Sequence, residues 1–354
     1  MASDVTEERV LRAVRERRAL VNEAIDADFP MAEPRRLYEA SRYLLEAGGK
    51  RLRPTVTLLV AEALGGVSAG ATRTPAGVDY RTFPRVDDGT VDVMAAAVAI
   101  EVIQSFTLIH DDIMDDDDLR RGVPSVHKEY DVSTAILAGD TLYSKAFEIL
   151  SRAGADAPDG LEAVRVLATT CTHICEGQSL DIEFEHRSSV GVEEYLEMVE
   201  HKTAVLYGAA AAIPAVLLGA DEEVVDALYG FGIEAGTAFQ IHDDVLDLTV
   251  PSEDLGKRRG SDLVERKATL ITVHARQQGV DVDGLVDAER VEGVSEAEID
   301  DAVSELERAG SIEFAREKAR ELAANSKARL ETLPDTEARS LLVDIADYLV
   351  TRGY

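Results

Sequence analysis

Residues 109–115 read Ile-His-Asp-Asp-Ile-Met-Asp, and residues 241–247 read Ile-His-Asp-Asp-Val-Leu-Asp. Each heptapeptide lies in a long apolar context, next to Phe106-Thr107-Leu108 in one case and Ala238-Phe239-Gln240 in the other. On an α-helix Asp111 and Asp115 stand one turn apart, about 40° from each other around the axis. Asp243 and Asp247 repeat that relation, with Asp112 and Asp244 beside them. Two carboxylate clusters on facing helices repel unless a cation sits between them. Hard oxygen donors without a cysteine cluster select Mg²⁺ over zinc. Mg²⁺ keeps positions open for water and phosphate oxygens, so a phosphorylated ligand is implied. In a chain with 68 acidic residues, the run Asp115–Asp118 taken alone also reads as solvated surface. Repetition of the whole heptapeptide decides for metal binding at Asp111, Asp112, Asp115, Asp243, Asp244 and Asp247.

The helical reading extends outward from these motifs. Apolar residues at helical spacing over 5–28 (Val10, Leu11, Val14, Val21, Ile25) predict an opening amphipathic helix. A second helix, about 34–47, ends at Gly48-Gly49, a glycine stop signal. Lys50-Arg51-Leu52-Arg53-Pro54 follows, with three cations at the mouth of the next helix and proline suited to its first turn. A long helix is expected over about 91–115, where Gln104 lies two turns before Asp111 on nearly the same face and so lines the same cavity. Arg120-Arg121-Gly122 follows the acidic run, either within reach of a metal-bound phosphate or simply neutralising that run. Further helices are expected over 131–153, 159–184, 193–219 and 222–249. Within them Lys202, a lysine in an apolar helix, needs a partner, and a substrate phosphate is the expected one. Gly256-Lys257-Arg258-Arg259-Gly260 is a second basic loop, and Asp262 with Glu265 is expected to cap a helix bearing Lys267. Two or three charged helices are expected over 296–350. No run of alternating β-branched residues bounded by turns occurs. The fold expected is all-α, one domain over 1–354 built as a bundle of ten or more helices, with polar residues of facing helices forming the site in its central cavity. Residues 65–90, rich in Gly, Thr, Pro and Asp, read as a surface insertion without assigned role.

Composition narrows the function. The apolar share is 45% and the formal net charge is −31, which argues against nucleic acid or an anionic membrane as partner. Only eight of the 37 basic residues are lysine. Heavy acid with scarce lysine suits a halophilic cytoplasm, where counterions screen self-repulsion. The charged N-terminal stretch, with Glu7, Glu8, Arg9 and Arg12, is unlike a secretory signal. The apolar stretch 203–220 carries Pro214 and reads as a buried helix rather than a membrane span. Cys171 and Cys175, one turn apart, suit neither a disulfide nor a zinc site and read as packing residues.

Together these motifs resemble those of the trans-isoprenyl diphosphate synthases of short-chain type, particularly archaeal geranylgeranyl diphosphate synthases. The resemblance runs from about residue 30 to the C-terminus. It rests on Gly48-Gly49-Lys50-Arg51-Leu52-Arg53-Pro54, the two Asp-rich motifs, Arg120-Arg121-Gly122, Gly177-Gln178 with Asp181, Lys202-Thr203, Phe239-Gln240, and Gly256-Lys257 with Lys267. It implies mostly antiparallel helices, usually as a homodimer, and a Mg²⁺-dependent prenyltransferase joining isopentenyl diphosphate to allylic diphosphates. Two or three Mg²⁺ ions would be held chiefly by Asp111, Asp115 and Asp243. Arg120, Lys202, Thr203, Gln240, Lys257 and Lys267 would surround the allylic diphosphate, with Lys50, Arg53 and Arg121 on isopentenyl diphosphate. The family often has histidine where this chain has Gln104, whose amide can donate to phosphate without adding charge. The resemblance makes Phe106 and Thr107 the floor of the product pocket. One aromatic there, with no insertion in the motif, is similar to the archaeal C20 pattern, with farnesyl diphosphate (C15) as intermediate or side product and a farnesyl or longer-chain synthase of the same family as the alternative. A terpene cyclase or squalene-type synthase would share the ionisation chemistry but leaves the second basic site at Lys50 and Arg53 without a task. A silent regulatory subunit is at odds with two intact Asp motifs, and an acidic cation-binding protein leaves the basic loops unexplained.

Overall fold

The computed structural model describes residues 2–65, 77–154, 157–187, 189–251, 259–286 and 294–351. Helices dominate: α1 (Ala2–Asp28), α2 (Arg35–Glu46), α3 (Leu52–Leu64), α4 (Val93–Met114), α5 (Val126–Glu129), α6 (Val132–Leu150), α7 (Ala157–Phe184), α8 (Val192–Val199), α9 (Val205–Leu217) and α10 (Glu222–Thr249). A short helix Ser261–Val264 and four longer ones, Leu270–Gln277, Glu296–Arg308, Ser311–Arg329 and Glu337–Thr351, complete the order. The only strands among the described residues are two short hairpins, so the all-α expectation holds.

Contacts divide the chain into two compact units. One comprises Met1–Cys171, Ala209–Tyr229 and Leu330–Leu342, and the other Thr172–Gly208, Gly230–Arg329 and Val343–Tyr354.

In the first unit α4 is the central element. The Asp92 side chain accepts from the Ala95 amide at 2.8 Å and caps its start. Residues 93–103 are buried on every side, including Ile100 and Ile103, which is why this helix reads as apolar all round rather than striped. Length and composition would let α4 cross a membrane, but 72% of its most apolar window is buried within the protein. Beside it runs α6, capped by Asp131 accepting from the Thr134 amide at 2.8 Å. The two helices meet tightly at Gly139, where a Cβ would lie 2.2 Å from His110 Nε2. Helix α3, buried throughout residues 54–63, follows the turn at Gly48 and Gly49, whose φ values are +104° and +132°.

Of the expected insertion at 65–90, residues 66–76 lie outside the described residues. The rest is no idle surface loop. Tyr80 and Phe83 are buried, the Tyr80 hydroxyl donates to Glu62 Oε1 at 2.6 Å, and Phe83 pairs with Val91 in hairpin β1 (Phe83–Pro84) and β2 (Thr90–Val91). Arg85 ties the hairpin down through Asp159 at 2.8 Å and the Leu217 carbonyl at 2.9 Å.

The second unit is built around an apolar cluster that includes Phe184, Tyr195, Met198, Ile241, Leu248, Leu270 and Ile312. Helix α8 passes into a π-helical turn, Glu200–Ala204, before α9. Such one-turn widenings are rare and recur at functional positions. Here the turn carries Lys202 and Thr203.

Candidate active site

The first unit holds the first Asp-rich motif at the C-terminal end of α4. Asp111 is half-buried and Asp115, the C-terminal cap, is exposed. Asp112 is 1% exposed and turns toward Arg120, whose Nε donates to its Oδ1 at 2.6 Å. Burial holds the Asp112 carboxyl above its ordinary value, and the Arg120 guanidinium opposes that shift. Its Oδ2 is buried without a hydrogen-bond partner, an orphan oxygen whose desolvation an added cation would offset. The rest of the acidic run is not simply solvated. Asp117 accepts from Arg120 Nη2 at 2.8 Å, and Lys128 joins Asp116 at 2.8 Å and Asp118 at 3.0 Å. Lys128 holds the Asp116 carboxyl below the usual range. These pairs fix the descent from α4 into hairpin β3 (Leu119–Arg120) and β4 (Val123–Pro124). Arg121 and Gly122, both at positive φ (55° and 79°), make its two-residue turn, the geometry that matches strand twist.

Of the three cations expected at the mouth of α3, the structure separates one from the others. Lys50 is exposed and Arg53 half-buried, whereas Arg51 is 3% exposed and inaccessible to an anion. Gln104 is half-buried on α4, and its backbone carbonyl accepts from the Thr107 hydroxyl at 2.9 Å. Phe106 packs edge-on against His110, centroids 4.8 Å apart, and against Tyr143 at 5.3 Å, with Phe147 behind Tyr143 at 5.1 Å.

The second unit holds the other motif. Asp243 is half-buried, but Asp244 and Asp247 are almost fully enclosed. Tyr195 donates to Asp244 Oδ2 at 2.6 Å and Gln240 Nε2 to its Oδ1 at 3.0 Å. Burial, reinforced by Asp262 nearby, holds the Asp244 carboxyl well above its ordinary value. Asp247 accepts from Ser261 Oγ at 2.8 Å and from the Asp262 amide at 3.2 Å, pinning the chain where it returns from the second basic loop. Asp181, Tyr195, Lys202, Thr203, Gln240, Asp244, Asp262 and Lys267 all line one open cavity of this unit. Two lysines and three carboxylates thus share its wall.

Lys202 is half-buried, and its Nζ donates to Asp181 Oδ2, a protein partner of the kind a lysine in an apolar helix needs. The approach depends on Gly177, where a Cβ would lie 2.2 Å from the Lys202 amide nitrogen. Two expectations are corrected here. Asp262 and Glu265 do not cap a helix bearing Lys267. Lys267 lies in a loop, paired with Glu265 at 3.0 Å, and the next helix starts at Leu270 with Thr269 as its cap. Cys175 is exposed, so only Cys171 packs inward, and neither cysteine is in a disulfide. Lys257 lies outside the described residues.

Among the described residues, no three His, Cys, Asp or Glu side chains form a ready cage for a metal ion. The donor set still fits Mg²⁺, which takes few protein carboxylates and completes its shell with water and phosphate. Sequence reasoning missed Tyr195 and Glu101, and gave Asp181 no role. Asp181 carried a signal, standing one turn after Gly177-Gln178. Glu101 carried one as well, a lone charge on an apolar helix that needs a partner, whereas Tyr195 had none, since helical spacing alone marks it as core.

Lysines and hard carboxylates lining one cavity are a donor set that suits a polyanion with its metal ions. A family model for polyprenyl synthetase matches residues 34–306, and the chain belongs to that family and is a prenyltransferase. It is 64% identical over 342 residues to a geranylfarnesyl diphosphate synthase of Natronomonas pharaonis, covering 97% of each chain. Among solved structures, it resembles a geranylgeranyl pyrophosphate synthetase from Geoglobus acetivorans at TM-score 0.83 and 45% identity, covering 96% of this chain and 99% of the other. A geranylgeranyl pyrophosphate synthase from Corynebacterium glutamicum, complexed with isoprenyl diphosphate and magnesium, matches at TM-score 0.76 and 26% identity over 97% and 98%.

Proposed function

We propose that the enzyme condenses isopentenyl diphosphate head-to-tail with dimethylallyl, geranyl and farnesyl diphosphates, ending at geranylgeranyl diphosphate (C20). The observation that carries this reading is the lysine-carboxylate cavity of the second unit, which suits a diphosphate held partly by cations and partly through metal ions. Asp111, Asp115 and Asp243 are the direct ligands. Asp112, Asp244 and Asp247 support them, with protein partners of their own. Mg²⁺, when bound, neutralises the charge that grows on departing pyrophosphate.

The protein's own groups do the rest. Arg120, Lys202, Thr203, Gln240, Lys257 and Lys267 grip the allylic diphosphate, and Lys202 exchanges Asp181 for phosphate oxygen or shares both. Fixed donors placed where negative charge develops stabilise the transition state without reorganising. Lys50, Arg53, Arg121 and the Gln104 amide hold isopentenyl diphosphate. As the allylic C–O bond breaks, the isopentenyl double bond forms the new C–C bond, and a proton then leaves to the released pyrophosphate. Apolar walls keep water from the carbocation. Phe106, braced by His110 and Tyr143, closes the pocket and limits length. The geranylfarnesyl name of the Natronomonas relative supports a second reading, a C25 product.

Exposed Val132, Ile136, Leu137 and Tyr143 on α6 supply an apolar stripe for a second copy, in keeping with a homodimer. The acid-rich surface suits high salt. The test uses purified protein in molar salt with Mg²⁺, labelled isopentenyl diphosphate and each allylic primer in turn. Farnesyl diphosphate should give a C20 product on a reversed-phase plate. Failure to elongate any primer refutes the activity, and a C25 main product establishes the second reading.

A further inference from the structure

We infer that Glu101 is a positioning residue for isopentenyl diphosphate: its buried carboxylate locks Arg51 and Arg121, from the two basic turns of the first unit, into one guanidinium pair. The inference rests on the reading that Arg121 belongs to the isopentenyl diphosphate site. Glu101 lies on α4, ten residues before the first aspartate of the motif, and is 3% exposed. Arg51 Nη1 donates to its Oε1 at 2.5 Å, and Arg121 Nη2 lies 3.5 Å from the same oxygen.

The two arginines are not equivalent. Arg51 sits at positive φ (57°) at the start of α3, its side chain 2% exposed. Its guanidinium also donates to the Leu45 carbonyl at 2.6 Å, the Gly48 carbonyl at 3.0 Å and Asn22 Oδ1 at 3.0 Å. It is fully committed to the fold. Arg121 donates to the Leu44 carbonyl at 3.1 Å and to the Gly48 carbonyl, while its side chain stays 19% exposed. It alone of the pair can reach a ligand. Gly49 makes the arrangement possible, because a Cβ there would meet Arg121 Cζ at 2.9 Å and Arg51 Nη1 at 3.0 Å, and its φ of +132° already excludes a side chain.

Two guanidiniums this close repel each other in a poorly solvated place. With Glu101 neutral, Arg121, the more exposed of the two and with only two other acceptors, swings away from its set position, while Arg51 is retained by its three other acceptors. Groups that orient a metal ligand without touching the metal typically matter by one or two orders of magnitude, and the lower end of that scale is expected for a carboxylate that orients a phosphate-binding guanidinium.

Steady-state kinetics on the full-length enzyme test this. Glu101→Gln should raise KM for isopentenyl diphosphate roughly tenfold, leaving kcat and the allylic KM within about twofold. Glu101→Asp, which keeps the charge on a shorter stem, should give a smaller rise in the same KM and carries the test if the glutamine variant does not fold. In an Arg121→Gln background, Glu101→Gln should add nothing further. An unchanged isopentenyl KM, a parallel rise in both KM values, or additive effects of the two substitutions would overturn the inference. Wild-type protein that elongates no primer would instead sink the activity reading beneath it.

Discussion

Asp243 and Asp247 occupy the first and last places of the second motif, yet only Asp247 is enclosed by the fold, and on the proposed roles substitution separates the two. Asp247 is 1% exposed and accepts from Ser261 Oγ at 2.8 Å and the Asp262 amide at 3.2 Å. In Asp247→Asn the amide keeps one oxygen for one donor and turns an NH₂ group toward the other. One charge-assisted hydrogen bond is lost and one buried donor is left without an acceptor, a cost of about 2–3 kcal/mol. At about 2 °C per kcal/mol for a long chain, the thermal midpoint should fall by roughly 4–6 °C. Because Asp247 acts through the fold, the variant should keep measurable turnover below that midpoint. Asp243→Asn, at a half-buried position, should leave the midpoint within about a degree and cut kcat by roughly a hundredfold or more, the scale of one lost electrostatic contact to developing charge. Thermal unfolding by circular dichroism in molar KCl, with turnover measured on the same samples, reads both. The reasoning fails if Asp247→Asn keeps the wild-type midpoint while losing turnover as completely as Asp243→Asn.

Other outcomes follow from the same contacts. Phe106→Ala removes the aromatic that leans on Tyr143 and His110, so its products on reversed-phase plates should be longer than those of the wild type; an unchanged product would reject the floor assignment. Gly139→Ala puts a methyl 2.2 Å from His110 Nε2, an overpacking cost of about 1–3 kcal/mol, seen as a lowered unfolding midpoint. At the α6 cap, the Thr134 hydroxyl and amide and then Arg36 hold the Asp131 carboxyl down to about 2. Its folded value is depressed, so its stabilisation is present above the ordinary carboxylate range and disappears as pH falls from about 4 to about 2. The midpoint difference between wild type and Asp131→Asn should therefore shrink across that window. A difference that stays constant from pH 6 to pH 2 would exclude this role.

The sequence by itself determined the helical class, the two carboxylate motifs, the basic turns and the family, because each is written in local order. A 3.6-residue period, a glycine pair after a helix or an Asp-rich heptapeptide needs only its neighbours in the chain to be read. What tertiary structure alone decided is which of those charges remain available. Asp112 is taken by Arg120, Asp244 by Tyr195, Asp247 by Ser261 and Lys202 by Asp181. Of two adjacent basic turns, Arg51 is enclosed while Arg121 keeps an outlet. Three of these four pairings, and the Glu101 contact with Arg51, join residues more than a dozen positions apart. Helical spacing carries no record of such pairings, since a burial-driven partner is chosen by the packing of whole helices rather than by the order of residues along one. Thus Glu101, which looked like one more polar residue on an apolar helix, emerged as the group between two arginines only once α3, α4 and the β3–β4 turn were in place.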